Sequence, residues 1–528
     1  MHYIDYNERN LYYKHKNKIY RMYIDYKIDK LNKRFINYET QKIGCVNGFD
    51  LDKEQKEAVV SNEINNLIIA GAGSGKTLTI VAKINYLINR GVKPSEILCI
   101  SFTNDSCISL KNKISYDIEV LTFHKLALKI LKDYHYTICS SNMLNYVVDE
   151  YFNSIILDSE DMMRQVIERF DIKNIVGIKS KYLEVIKRKE FINLKKVIIT
   201  FINLFKANNY NLNKFIDIDN KKHHNLLRII IDIYILYNQE LSSQGKIDFD
   251  DMISLAINEI NKNGIKDRYK YIIIDEFQDT SIVRMQLIKS IVNKTGAKVF
   301  AVGDDFQSIY KFTGCNLDLF INFSNYFGYT KIIKLTHTYR NSQQLINSAS
   351  KFVLKNKRQI SKKMVSNIKI DKPIKLVNES NNVLEKIINI LIDKGSKDIL
   401  IVGRNNNDIN KYINSNFIID KDKITYRENK VSIRYLTVHR SKGLEAEYVI
   451  IINLYNDVLG FPCKLKNDDI LDLINEKDKF LYEEERRLFY VALTRTKKDI
   501  YLICPLNLSI FVQELKRDSS KYIEWLDL

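Results

Sequence analysis

Residues Ala70-Gly71-Ala72-Gly73-Ser74-Gly75-Lys76-Thr77 have the types and spacing of a phosphate-binding loop. An apolar run, Leu67-Ile68-Ile69, leads into it, and a helical pattern from Leu78 to Ile84 leads away. In that context small residues let successive backbone N–H groups close on phosphate oxygens, with the positive end of a helix behind them. Lys76 can then reach the β- and γ-phosphates of a nucleoside triphosphate, and the Thr77 hydroxyl can hold Mg²⁺. Ala70 stands where the strict pattern has glycine, at a position that needs only a small residue.

A second chemical element lies far downstream, where the apolar run Tyr271–Ile274 ends in Asp275 and Glu276. Asp275 suits a magnesium ion, which prefers hard oxygen ligands. Glu276 is spaced to orient and deprotonate an attacking water. Together, loop and acids predict hydrolysis of a nucleoside triphosphate with Mg²⁺ as the cofactor.

These groups need rigid elements behind them. Short apolar runs occur at Leu67–Ala70, Ile97–Phe102, Tyr271–Ile274 and Val299–Val302, and again at Ile399–Val402, Tyr448–Ile452 and Ile500–Ile503. Helical patterns separate them, which predicts parallel sheets covered on both faces. The expected fold is therefore α/β, with two parallel-sheet units. Expected boundaries are a basic helical arm over 1–45, a first unit over 46–126 and 251–325, a helical insertion over 127–250, and a second unit over 326–528. In the arm, Tyr12, Tyr13, Tyr20, Tyr23 and Tyr26 recur at roughly helical spacing, predicting helices packed on the core by their tyrosines; a nucleic-acid-facing arm is the second reading. The cluster Lys179, Lys181, Lys187, Arg188, Lys189, Lys195 and Lys196 reads first as a solvated face and second as a duplex contact.

A chain of 528 residues has room for about two to four domains. The net charge is +18, from 82 Lys+Arg against 64 Asp+Glu, which favours a polyanionic partner. No apolar run is long enough to cross a membrane, and the N-terminus lacks a signal-peptide core. The seven cysteines form no CxxC pair, which argues against a zinc site or disulfide framework and fits a reducing cytoplasm.

Further blocks follow in a fixed order: Leu51-Asp52-Lys53-Glu54-Gln55, Ser101-Phe102-Thr103-Asn104, Leu121-Thr122-Phe123-His124, Gly303 to Gly314, Thr338-Tyr339-Arg340-Asn341, Thr437 to Glu445, and Glu484 to Arg495. With the loop and the acid pair, this series resembles the UvrD/Rep group of superfamily 1A DNA helicases, and within it the helicase IV-like subgroup. The resemblance runs from Leu51 to Leu502.

The resemblance implies two RecA-like motor domains with ATP between them, and assigns roles by position. Gln55 would read adenine. Tyr339 would stack on it, and Glu445 would approach the nucleotide sugar. Gln307 and Arg340 would sense the γ-phosphate, and Arg495 would be the arginine finger. Phe102, Thr103, Asn104, Thr122, His124, Phe312, Thr437 and His439 would face single-stranded DNA or a tailed duplex. The implied activity is 3′→5′ translocation with strand separation. Phe312 and Thr313 stand where better-known members carry Trp and Arg. Asp105-Ser106-Cys107 replace the usual continuation of the first DNA block, Leu78 follows Thr77 where Arg is frequent, and Thr496 follows Arg495 where Ala is usual. The short interval from Arg340 to Thr437 implies that the regulatory 2B subdomain of the large members is absent or vestigial here. Unwinding would then call on the insertion or on an activating protein partner. The alternatives are a translocase that strips proteins with little unwinding, and a non-enzymatic nucleic-acid-binding module.

Overall fold

The computed structural model describes residues 2–13, 18–134, 136–170, 176–427, 431–465, 468–475 and 478–528. Parts of the expected N-terminal arm, of the insertion and of the stretch leading to Lys479 lie outside the described residues.

The first α/β unit is built on strands β1 (Asn65–Ala70), β2 (Ile97–Ser101) and β3 (Glu119–Thr122). A short pair, β4 (Thr137–Ile138) and β5 (Lys246–Ile247), closes the neck of the helical insertion. Then come β6 (Tyr271–Ile274), β7 (Lys298–Gly303) and β8 (Lys331–Leu335). The six strands of the sheet are parallel, in the order β3-β2-β6-β7-β1-β8. Unbroken apolar runs such as Leu67-Ile68-Ile69 and Ile272-Ile273-Ile274 suit a sheet buried on both faces, and all six of these side chains are buried. Parallel pairing brings the loops after β1, β2, β6 and β7 to one edge of the sheet, the edge where open α/β sheets bind ligands.

The second sheet holds β9 (Ile374–Asn378), β10 (Asp398–Gly403), β11 (Phe417–Asp420), β12 (Lys423–Tyr426), β13 (Ser432–Thr437), β14 (Tyr448–Ile451), β15 (Ile500–Cys504) and β16 (Ile523–Leu526). Its order is β11-β12-β13-β10-β14-β15-β9-β16. It is not wholly parallel, because β12 runs antiparallel to both neighbours. A two-residue turn, with Lys421 at φ 54°, makes β11–β12 a hairpin. Among the described residues, the interval from 340 to 437 holds β9 to β13 and the helices Gln343–Val353 and Val383–Asp393.

Two expectations are corrected. The boundary at 325 falls too early, since β8 pairs with β1 and belongs to the first sheet. Most of the five recurring tyrosines of the arm do not seat it. Tyr12, Tyr23 and Tyr26 of the helices Tyr6–Tyr12 and Lys18–Thr40 are exposed. The arm is held instead by buried Tyr3, Ile28 and Phe35, by Asn32 bonded to the Ile4 backbone, and by Arg9 paired with Asp29 at 2.6 Å.

The helical insertion has its own core, from Cys139 to Leu241. Three residues of that core come from elsewhere. Ile470, Leu471 and Ile474 lie in the connection between β14 and the helix Glu483–Leu493, yet they are buried among the insertion's side chains. Asn208 donates to the Ile474 carbonyl at 3.1 Å. The connection thus acts as a strap from the second unit to the insertion.

Candidate nucleotide cleft and nucleic-acid face

The phosphate loop is shaped by contacts from both units. Gly73 and Gly75 adopt φ 71° and 77°, the left-handed region that glycine enters without a steric penalty. A Cβ at Gly73 would stand 2.6 Å from the Arg340 Cβ, and one at Gly75 would stand 2.5 Å from the Gln55 Nε2. Thr338 Oγ1 donates to the Ala72 carbonyl at 2.8 Å, and the Tyr339 N–H donates to the Gly73 carbonyl at 2.9 Å. Ala70 ends β1, and both it and Ala72 are buried. Ser74 Oγ bonds the Gly71 carbonyl, fixing the turn. Gln55 is fully buried. Its Nε2 donates to the Ser74 carbonyl at 3.1 Å, and its Oε1 accepts from the Asp52 N–H to complete a helix capping box. The amide expected at adenine thus braces the loop from behind.

Lys76 opens the helix Lys76–Asn89 and pairs with Glu276 at 2.7 Å. Glu276 sits at φ 52° just past β6, a strained position for a side chain other than glycine. Burial opposes its ionisation, but Lys76 and Lys442 outweigh burial and hold its carboxyl at about 2. Asp275 is pushed the other way, to about 7, first by burial and then by the neighbouring Glu276. Two adjacent carboxyls are thus driven apart by their surroundings, Glu276 held as the carboxylate by its cations and Asp275 pushed toward its neutral form by burial.

Second-unit residues complete the cleft. Arg495 is buried at 1% exposure, and its Nη2 donates to Gln307 Oε1 at 3.1 Å. Burial lowers its pKa to about 9, and Arg340 adds to this. Gln307 is held from behind, its Nε2 donating to Asp304 Oδ2 at 2.6 Å. Arg340 Nε pairs with Glu445 Oε2 at 2.8 Å, and Glu445 also meets Lys497 at 2.8 Å. Burial works against the Glu445 charge, yet these two cations keep its carboxyl below its ordinary range. Tyr339 is half-exposed, and its hydroxyl donates to Asp52 at 2.8 Å.

The segment that carries Gln307 runs directly into an aromatic row. Phe102 and Tyr310 stack at 5.6 Å with planes 13° apart. Phe312 lies 6.1 Å from Tyr310 and 5.6 Å from His439. Phe312 is 57% exposed, so its ring faces solvent. The row therefore spans both units. Burial, with help from Arg404 and Lys442, lowers the His439 pKa to about 4. His124 lies outside the row, against Phe249 at 5.1 Å, and its pKa is likewise lowered to about 4 by burial and by Arg284. Thr103 and Thr122 cap the helices Asn104–Lys111 and Phe123–Ile130 with their hydroxyls; Thr103 and Asn104 are exposed, whereas Thr122 is buried. Thr437 ends β13, just before His439.

Residues 51–328 match the UvrD/REP helicase N-terminal domain, over half the chain, and residues 411–506 match the UvrD-like helicase C-terminal domain. The chain belongs to the UvrD/Rep helicase family. Among its relatives, DNA helicase IV of Escherichia coli K12 is 27% identical over 88% of this chain and 70% of its own length. ATP-dependent DNA helicase Rep of Buchnera aphidicola subsp. Schizaphis graminum is 30% identical over 66% of this chain and 51% of its own. ATP-dependent DNA helicase PcrA of Staphylococcus epidermidis is 27% identical over 58% of this chain and 40% of its own. The chain thus spans about half the length of several of the curated relatives it matches.

Within this UvrD/Rep frame, sequence reasoning passed over several residues. Tyr310 belongs to the aromatic row, and Arg284 lies 5.0 Å over the Phe102 ring. Lys442 bonds both Asp279 and, at 2.7 Å, the Gln307 carbonyl. Asp279 is pushed up to about 6 by burial, with Lys442 opposing. Arg487 is buried and donates to the Ser308 carbonyl at 2.6 Å. Tyr310 and Lys442 had a signal, since both fall inside the family blocks; Arg284 had none.

A magnesium ion fits the donor set at the cleft. Thr77 supplies a hydroxyl on the first turn of its helix, and Asp275 supplies a buried carboxyl whose raised pKa a cation would reverse. When bound there, Mg²⁺ would neutralise charge between the β- and γ-phosphates. Among the described residues no cluster of three or more His, Cys, Asp or Glu could hold a metal, and no helix is long and apolar enough to cross a membrane.

Proposed function

We propose that this chain is an ATP-driven DNA motor that moves 3′→5′ along single-stranded DNA and separates strands ahead of it. The carrying observation is the short segment from Gln307 to Phe312. One end bonds Arg495 in the cleft, and the other end stands in the aromatic row. A segment shared by two ligand sites is a physical means of coupling them.

In this reading the loop N–H groups and Lys76 bind the phosphates. Lys76 must leave Glu276 to do so, which frees that carboxylate to take a proton from water. Arg340 and Arg495 neutralise charge from the second unit, so the site is complete only when the units are closed. Glu445 and Tyr339 fix the nucleoside side. Phe102, Tyr310, Phe312 and His439 hold bases by stacking, which needs no sequence readout. Thr103, Asn104, His124 and Thr437 flank the path, the polar ones suited to phosphate contacts.

A second reading, a translocase that displaces bound proteins with little unwinding, is favoured by the absence of any further domain between Arg340 and Thr437 among the described residues. ATP hydrolysis with no nucleic acid, with single-stranded DNA and with single-stranded RNA, using Lys76→Ala as the blank, tests the motor. Duplexes with 3′ or 5′ tails then test direction. Protein displacement without unwinding on any tailed duplex would select the second reading, and no stimulation by DNA would sink both.

A further inference from the structure

Lys362 lies in the stretch between the helix Gln343–Val353 and β9, outside every block that sequence reasoning singled out. Its side chain has no solvent exposure, and its ammonium is 2.6 Å from both Asp304 Oδ1 and Asp305 Oδ1, two carboxylates that are also fully buried. It lies 3.8 Å over the Phe306 ring. Burying three charged groups this deeply is costly unless each is satisfied. Here each is: the Asp305 carboxylate also accepts from Gln359 and the Ile360 N–H, and Asp304 accepts from Gln307 and the Phe306 N–H.

The arrangement bears on Gln307. Its side-chain amide has one donor end and one acceptor end. Arg495 only donates and an ionised Asp304 only accepts, so the amide has a single orientation, Oε1 on Arg495 at 3.1 Å and Nε2 on Asp304 at 2.6 Å. Lys362 fixes that acceptor in place: its ammonium holds Asp304 Oδ1 at 2.6 Å while Oδ2 of the same carboxylate faces the Gln307 amide. The Asp304 backbone N–H donates to Gln278 Oε1 at 2.9 Å, and Gln278 Nε2 donates to Glu276, so the same acid is also tied to the loop that follows β6.

We infer that Lys362 is a positioning residue of the ATPase site: by pinning the side chain of Asp304 it sets the amide of Gln307 against Arg495. This rests on the motor reading above. Lys362 touches no reacting atom, and it acts from a segment of the second unit on a loop of the first.

The test compares the full chain with Lys362→Met and with a triple variant, Asp304→Asn/Asp305→Asn/Lys362→Met, which removes the buried charges together. Steady-state ATP hydrolysis with a single-stranded DNA oligonucleotide and the thermal midpoint are read for each. Lys362→Met should lower kcat roughly 10–100-fold with KM for ATP within about threefold, as loss of an orienting partner does. The triple variant should regain the thermal midpoint, yet stay at least ~10-fold down in kcat, since a neutral residue at 304 accepts either orientation of Gln307. If the triple variant recovers both, Lys362 is only a staple of the fold and the inference is overturned. Unchanged kcat in Lys362→Met overturns it equally. Absence of DNA-stimulated turnover in the unsubstituted protein would instead overturn the motor reading, and this inference with it.

Discussion

Arg495 and Gln307 meet at 3.1 Å across the seam between the two sheets, 188 positions apart in the chain. The guanidinium is also pinned to the Val491 and Leu444 carbonyls, so its reach toward Gln307 is fixed by the backbone of its own unit. A charge held this way needs little reorganisation to stabilise a transition state. Arg495→Ala should lower kcat by roughly 10³-fold or more. Arg495→Lys should not rescue it, because an ammonium lacks the planar fork that makes these bonds. Single-turnover hydrolysis beside a fluorescent-nucleotide titration separates loss of chemistry from loss of binding.

The Lys76–Glu276 pair at 2.7 Å gives an asymmetric expectation. Lys76→Ala should lose both ATP binding and turnover. Glu276→Gln should abolish turnover and leave ATP binding as tight or tighter, since it releases Lys76 from a competing carboxylate. Weaker ATP binding in Glu276→Gln would show that the pair is not a competitor of the phosphates.

Phe312→Ala removes the most exposed ring of the aromatic row. Each stacked base lost should cost about 1–3 kcal/mol of single-strand affinity. DNA-stimulated turnover should fall more than basal turnover, and Tyr310→Ala should behave alike. Equal falls in the two rates would break the link between the row and the cleft.

His124 and His439 both titrate at about 4 rather than at the ordinary 6.5, because burial and nearby cations disfavour their charged forms. A lowered folded-state pKa contributes stability that is present above pH 6.5 and lost as pH falls toward about 4. The thermal midpoint should therefore drop across that window, and His439→Gln should flatten part of the drop. Neither histidine gains charge between pH 8 and pH 6, so neither should strengthen DNA binding there; a fluorescence-anisotropy titration at both pH values reads this.

The chemistry of the cleft was legible in sequence wherever it is local. The loop from Ala70 to Thr77 and the pair Asp275–Glu276 each announce themselves because a strand, a turn and the reacting groups are contiguous. Most of the buried apolar strands were legible for the same reason. The strand β3, with Glu119 and Thr122 at its ends, and β8, with lysine at two of five positions, were not, because edge strands carry polar residues that blur the pattern. Gln55 stood out in the sequence as an expected adenine contact, but its bonds to Ser74 and Asp52 did not. Arg284 and Lys362 were silent, since a lone cation gains meaning only from partners that the fold brings to it.

The strap carrying Ile470, Leu471 and Ile474 has a consequence for how the chain is made. The insertion is completed by residues that leave the ribosome long after it, with Ile474 lying 266 positions beyond its partner Asn208. Until then the groove that receives them is open and apolar. A nascent chain must carry that exposed groove through the synthesis of the whole interval from Leu241 to Ile470, the condition under which folding intermediates associate. Truncated products that end before Asp468 would keep it open for good.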